Sequence, residues 1–408
     1  MKNKFSCLIC NSPIHQFVDF GKMPIANGFL LPKDFKKEYF FNLGVAFCPK
    51  CAMVQLTEFV DREKMFHENY AFFSSTSSRM AQHFKEFAED VMSKKRDKDT
   101  FVAEIGSNDG IMLKNFAEKG IKHLGIEPSS NVAKVAISKG INTTTEFFDE
   151  KLSKKIVSKY GKADFFLGAN VMCHIPYIHS VFSGVRNLLK PKGLLIFEDP
   201  YIGDIVQKTS YDQIYDEHAF YFSVRSIDNL AKMHGMEVVN AEHQDVHGGS
   251  MRYTIGHIGE NPIKPAVSRW LKKENELGLN KLKTYDNLRK NIEKSKKDLV
   301  SILTKLKKQN KRVIGYAATS KSTTITNYCG INADLIEFIS DTTPIKHGKY
   351  SPGTHIPVKP YEEFKNNYPD YAVLFAWNHG KEIMAKEKDF VKQGGKWIIF
   401  APAPVKIL

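Results

Sequence analysis

The stretch FVAEIGSNDGIMLKNFAEKG, residues 101–120, decides the fold. It reads as a strand, a glycine loop and a helix. FVAEI is short and apolar, as a buried parallel strand should be. Gly106 and Gly110 permit a tight turn and a close backbone approach to a ligand. Asn108 or Asp109 is placed to cap the helix that follows, and Gly120 to end it. Glu104 stands at the strand end. The spacing E-x-G-x-x-x-G lacks the third glycine of the dinucleotide fingerprint. The next strand, HLGIEPS, ends in Glu127, about twenty residues on, where a carboxylate suits a ribose diol. The expected ligand is a nucleoside with no phosphate in this loop, and S-adenosylmethionine fits. Phe147 and Phe148 follow the third strand. They either cover an adenine ring or are plain core.

Outward from this loop the pattern repeats. FVAEIG, HLGIEP, DFFLGAN and GLLIFEDP are apolar runs ending in Gly, Asn, Asp or Pro, with helix-length segments between them. Such alternation predicts an α/β fold with a mostly parallel sheet. From Arg312 it restarts with VIGYA, LIEFISD, YAVLFAW and KWIIFAP, which predicts a second, smaller doubly wound sheet. Residues 261–310 between the two are lysine-rich and helical. The expected organisation is a small amino-terminal domain at 1–65, a Rossmann-like cofactor domain at 66–260, and a helical linker with a second, Rossmann-like carboxy-terminal domain at 261–408.

A chain of 408 residues is too long for one ordinary core. Its 42% hydrophobic and 25% charged content fits a globular enzyme rather than a disordered or fibrous chain. The opening MKNKFSCLIC has no apolar stretch after its lysines, and no run is long enough to span a membrane. A cytoplasmic protein without a membrane partner is expected. The net charge of +14 can steer anions. Much of the excess lies in 264–312, where the lysines are spaced like solvated helix faces.

Four of the six cysteines form two pairs, Cys7–Cys10 and Cys48–Cys51. In a CxxC turn two thiolates reach one ion while backbone N–H groups bond the sulfurs, and two turns make a tetrahedral S₄ zinc site. Such a set is closed to substrate, so the zinc should be structural. It would staple a region too small for a good core. Cys173 and Cys329 read as core or loop cysteines.

Residues 211–225, YDQIYDEHAFYFSVR, place Tyr215, Glu217 and His218 just beyond the strand GLLIFEDP. Ligands of open α/β sheets bind outside the carboxyl ends of the strands. A histidine there can act as a general base, its neighbouring carboxylate can orient it or hold a hydroxyl, and a tyrosine can donate to an enolate oxygen. Asn170 and His174 lie at another strand end. His247, Ser250 and Arg252 flank a flexible Gly pair. Arg252 would meet a phosphate or sugar, or form a salt bridge. After VIGYA, Thr319, Lys321, Ser322 and Thr323 open a helix whose N–H groups favour a diphosphate. A plain capped turn is the alternative. Asp341 and Asn378 end later strands.

Together these segments resemble the sugar C-methyltransferases of deoxysugar biosynthesis. The resemblance spans nearly the whole chain and rests on the CxxC pairs, ENYAFFSSTSS, EIGSNDG, GIEPS, ANVMCHI, YDQIYDEHAFYFS, HGGSMRY, NYCGI and PGTHIPV. It implies a zinc-binding amino-terminal domain, a central cofactor domain and a carboxy-terminal domain that helps bind the nucleotide sugar. It implies His218 as base, Tyr215 and Glu217 as its companions, and Tyr70 near the sugar. The chain departs from the family pattern at Ile111, Met112 and Ser322. The implied substrate is a 4-keto-6-deoxysugar on dTDP or a related nucleotide, bound by a monomer. Two other readings are an O- or N-methyltransferase acting on a nucleotide sugar, and a zinc-containing nucleic-acid binder. For the second no basic-aromatic module is seen, so no nucleic-acid partner is expected.

Overall fold

A computed structural model describes residues 5–61, 78–94 and 99–408. Three sheets organise it. Phe101–Ile105 is buried along its whole length and sits inside a seven-stranded sheet. Lys122–Ile126 and Thr143–Thr144 follow on one side of it. On the other lie Ala163–Ala169, Leu189–Pro200, Ser250–His257 and Met236–Gln244. Pairing is parallel from Thr143–Thr144 to Leu189–Pro200, and Ser250–His257 runs antiparallel to both neighbours. The order reverses between Phe101–Ile105 and Ala163–Ala169, which opens a crevice at their carboxyl ends. Val313–Tyr316 repeats the design. It lies between Ile339–Asp341 and Tyr371–Leu374, with Val358–Pro360 and Lys396–Ile399 outside them, all parallel. Lys406–Ile407 closes the edge antiparallel.

The smallest sheet pairs His15–Pro24, Phe40–Phe47 and Val54–Leu56, all antiparallel. Its fourth strand, Phe220–Tyr221, comes from far along the chain, just after His218. The zinc-side sheet is thus completed by the segment that carries His218.

The lysine-rich stretch forms two helices, Pro265–Leu277 and Leu282–Lys308. Gly278 ends the first with φ +68, a left-handed value that favours glycine. In the second, Tyr285, Leu288, Ile292, Ser295, Leu299, Leu303 and Leu306 are buried at three- and four-residue intervals. Lys290, Lys294, Lys297, Lys305 and Lys308 face water, as expected. Tyr285 packs on Phe17 and Phe47, with ring centroids 5.1 and 4.4 Å away. One continuous apolar cluster runs from Ile14 through Leu288 to Ile339 and Ile398. The glycine-loop helix is shorter than expected: turns and a bend occupy residues 108–113, and only Lys114–Ala117 is regular helix. Asn108 takes φ +49 and its Oδ1 accepts from the Asp109 N–H, so its side chain serves the turn rather than a cap. No helix among the described residues is long and apolar enough to cross a membrane.

Glu274 joins the first of these helices to the central domain. Its buried carboxylate accepts from the Val224 N–H at 2.6 Å, the Arg225 N–H at 3.0 Å and the Tyr201 hydroxyl at 3.1 Å. Glu274→Ala leaves these donors without their acceptor. It should cost on the order of 3 kcal/mol, read as a lower urea midpoint.

Candidate active site

The two CxxC turns converge. Cys7 Sγ lies 3.5 Å from Cys51 Sγ, and Cys10 Sγ lies 3.4 Å from Cys48 Sγ. All four sulfurs fall within 4.8 Å of one another. A tetrahedral site with zinc–sulfur bonds of about 2.3 Å has sulfur–sulfur edges of about 3.8 Å, so the set fits zinc. The Ile9 N–H points at Cys7 Sγ at 3.4 Å. Hydrogen bonds from Cys51 and Cys7 hold the Cys48 thiol well below its ordinary range. Both turns are also tied to the central domain: His179 Nε2 donates to the Ile9 carbonyl at 2.9 Å, and Asn229 Nδ2 to the Cys51 carbonyl at 3.0 Å.

A cavity of about 430 Å³ opens at the carboxyl ends of both parallel sheets. Along the glycine loop and the strands beside it the wall holds Gly106, Asn108, Glu127, Phe147, Phe148 and Asn170. Gly106 takes φ +62, and a Cβ there would lie 2.6 Å from Val171. Glu127 accepts from the Asn108 N–H at 2.9 Å and the Ser129 N–H at 2.8 Å, which binds the glycine loop to the next strand. Phe147 is half-buried at the wall, while Phe148 is also packed in the core, 4.6 Å from Phe166. Glu104, Asp109 and Gly110 lie beneath the loop rather than along the cavity wall. Burial, then Glu127 and Asp109, push the Glu104 carboxyl well up. A Cβ at Gly110 would lie 2.1 Å from Ile141.

Tyr215, Glu217, His218 and His174 form the floor. His218 Nδ1 is 2.8 Å from the Gln213 carbonyl. A carbonyl only accepts, so Nδ1 carries the proton and Nε2 keeps its lone pair. Burial, with His174 next, holds the His218 pKa well below the ordinary value, so the ring is neutral at pH 7. Tyr215 lies 4.2 Å and His174 5.2 Å from it, ring to ring.

The far wall brings in His247, Thr319, Lys321 and Asn378. Thr319 caps the helix Ser320–Cys329 through a capping box with Ser322. Lys321 is half-buried, and its Nζ reaches the His247 carbonyl at 3.2 Å and Asn378 Oδ1 at 3.4 Å. His247 Nε2 has no hydrogen-bond partner among the described residues. Ser322 and Thr323 lie behind this wall: the first serves the cap, and Thr323 Oγ1 donates to the Ala26 carbonyl at 2.8 Å. Ser250 lies off the wall too, its hydroxyl 3.4 Å from the Val246 carbonyl. Of the two expectations for Arg252, the structure has the salt bridge. Its guanidinium donates twice to Glu198 Oε2, at 3.1 and 3.0 Å, and lies over Phe87. Asp341 accepts from the Ala318 N–H at 2.7 Å. Tyr70 lies outside the described residues. The cavity adds Asn27, Met80, Phe84, Lys346 and His379, which sequence reasoning did not reach. They come from separated stretches of the chain, and no local pattern marks them.

The strand order and this loop define a class I methyltransferase fold that takes S-adenosylmethionine. Family models match along the chain: a zinc binding domain at 7–66, a methyltransferase domain at 72–241, and a C-methyltransferase C-terminal domain at 245–402. The C-methyltransferase NovU of Streptomyces niveus is 32% identical over 390 residues, which cover 95% of this chain and 93% of that protein. The chain therefore belongs to the C-methyltransferase family, as an S-adenosylmethionine-dependent enzyme with a zinc-binding amino-terminal domain. Among solved structures, magnesium protoporphyrin IX methyltransferase from Synechocystis is 15% identical over 43% of this chain and 83% of its own, with a TM-score of 0.34. A methyltransferase from Clostridium acetobutylicum is 13% identical over 44% and 92%, with a TM-score of 0.36.

Cys48→Ser should lower zinc content from one equivalent per chain, measured by atomic emission on gel-filtered protein. Glu127→Ala should weaken S-adenosylmethionine binding on the order of tenfold or more by calorimetry, because two loop N–H groups lose their acceptor.

Proposed function

We propose that this C-methyltransferase acts on a nucleotide-linked 4-keto-6-deoxysugar, with dTDP as the first nucleotide to test, and methylates the carbon next to the ketone. The observation that carries the reading is His218, neutral and with Nε2 available, in one cavity with the cofactor loop and with Lys321. A sugar C–H bond is too weak an acid to ionise at neutral pH. An adjacent ketone changes that, because the carbanion becomes an enolate.

Bound S-adenosylmethionine supplies the methyl group as a sulfonium electrophile, held by Gly106, Asn108, Glu127, Phe147 and Asn170. His218 Nε2 takes the proton alpha to the ketone, and the Gln213 carbonyl stabilises the imidazolium through Nδ1–H. Tyr215 donates to the enolate oxygen. Glu217 holds a sugar hydroxyl. Lys321 and the amino end of Ser320–Cys329 take the diphosphate. The zinc lies outside this chemistry.

His218→Asn keeps a side-chain N–H for the Gln213 carbonyl. It should lower kcat roughly 10²- to 10⁴-fold and leave cofactor affinity unchanged. Wild-type kcat/KM should stay level across neutral pH and fall only below the ordinary histidine range, where His218 at last gains a proton. The assay is mass spectrometry and proton NMR of dTDP-keto-sugars in D₂O. A new C-methyl signal supports the proposal. A methyl group on oxygen or nitrogen, without deuterium at the alpha carbon, overturns it.

A further inference from the structure

The residues 24–28, PIANG, leave the strand His15–Pro24 and enter the cavity wall beside the catalytic loop. Ala26 is buried, and both its backbone groups are held. Its N–H donates to Asp216 Oδ1 at 2.9 Å, and its carbonyl accepts from Thr323 Oγ1 at 2.8 Å. The Gly28 N–H closes the turn on the Ile25 carbonyl at 3.0 Å. These bonds fix the segment without help from the next side chain. Asn27 Nδ2 is free to serve another purpose, and it donates to Glu217 Oε1 at 2.7 Å.

We infer that Asn27, supplied by the zinc-binding domain, is a positioning residue for methyl transfer, whose amide orients the Glu217 carboxylate toward the sugar. The inference rests on the sugar reading above. It makes the zinc-binding domain a wall of the active site as well as a stapled appendage.

The chemistry explains why a neutral donor stands there. Glu217 is encased, and burial pushes its carboxyl up, while the Asn27 amide pulls it back toward the ionised form. Asp216 and His218 share this loop with Glu217, and Cys173, His174 and Lys321 lie around it. A second carboxylate at position 27 would repel Glu217, and a lysine would compete with the substrate for it. An amide donates one fixed hydrogen bond and carries no charge. The carboxylate's other oxygen can then accept from a sugar hydroxyl.

The test uses full-length protein labelled with ¹³C at the glutamate side-chain carboxyls, with Glu217 assigned by comparison with Glu217→Gln. In Asn27→Leu, Glu217 should titrate at higher pH than in the wild type. Turnover of the keto-sugar should fall about tenfold or more, with zinc content and S-adenosylmethionine KM unchanged. In Asn27→Asp, the protonated acid can still donate to Glu217, so turnover should hold in the acidic range above the fall set by His218 and decline at higher pH as the introduced carboxyl ionises. This profile would survive a failure of Asn27→Leu to fold. An unmoved Glu217 titration, or a wild-type kcat and pH profile in both variants, overturns the inference. A wild-type chain inactive on every keto-sugar overturns the sugar reading instead, and the carboxyl titration still decides what Asn27 does to Glu217.

Discussion

The loop from Ser210 to Tyr221 is largely buried, and its polar groups must find partners inside the protein. Those partners come from separate parts of the chain. Asp216 and Glu217 accept from Ala26 and Asn27. Asp212 accepts from Trp377 Nε1 at 2.7 Å, and the Ile214 carbonyl accepts from Thr324 Oγ1 at 2.8 Å. His218 bonds within the loop itself. At its end, Phe220–Tyr221 pairs with Val54–Leu56. A loop held this way has one conformation only while the amino-terminal, central and carboxy-terminal parts are docked. The placement of His218 is therefore a property of the whole chain.

The two parallel sheets supply the space around that loop. Each reverses its strand order at its first strand, so each opens a crevice at its carboxyl end. Both crevices face one cavity. The helix Leu282–Lys308 keeps them there, burying one face against the zinc-side sheet and the carboxy-terminal domain while its lysines stay in water. The cavity is thus lined from both sheets, with His218 among its walls.

Burial also sets the charge states. Near the centre of the molecule, Glu198 accepts from Arg252 and from His83 Nε2 at 2.5 Å. Burial pushes that carboxyl up, but His83 and Arg252 more than offset it. Truncating either His83 or Arg252 would leave a buried carboxylate with half its partners. His174 and His247 are pushed down to about 4 by burial, and His218 lies well below its ordinary value, so the imidazoles around the cavity are neutral at pH 7. Lys321 is also pushed down by burial, yet Asp212 nearby favours its charge. The cavity thus presents neutral bases on its floor and cationic character at its far wall.

Features that depend on local spacing were legible in the chain before it folded. Two CxxC turns announce four sulfurs for one ion, and strand–glycine–helix patterns announce both parallel sheets. Lysines spaced like solvated helix faces announce the helices of residues 261–310. Each signal is a few residues wide, because the physics behind it acts between neighbours along the chain. Which polar side chains face the cavity was settled by docking alone. Arg252 and Thr323 looked as available as Lys321, yet one pairs with Glu198 and the other with the Ala26 carbonyl. Asn27 carries no local signal, yet it stands against Glu217 across 190 positions. Such contacts follow from which buried groups are left needing a partner once the domains dock, and that need is invisible until the chain has folded.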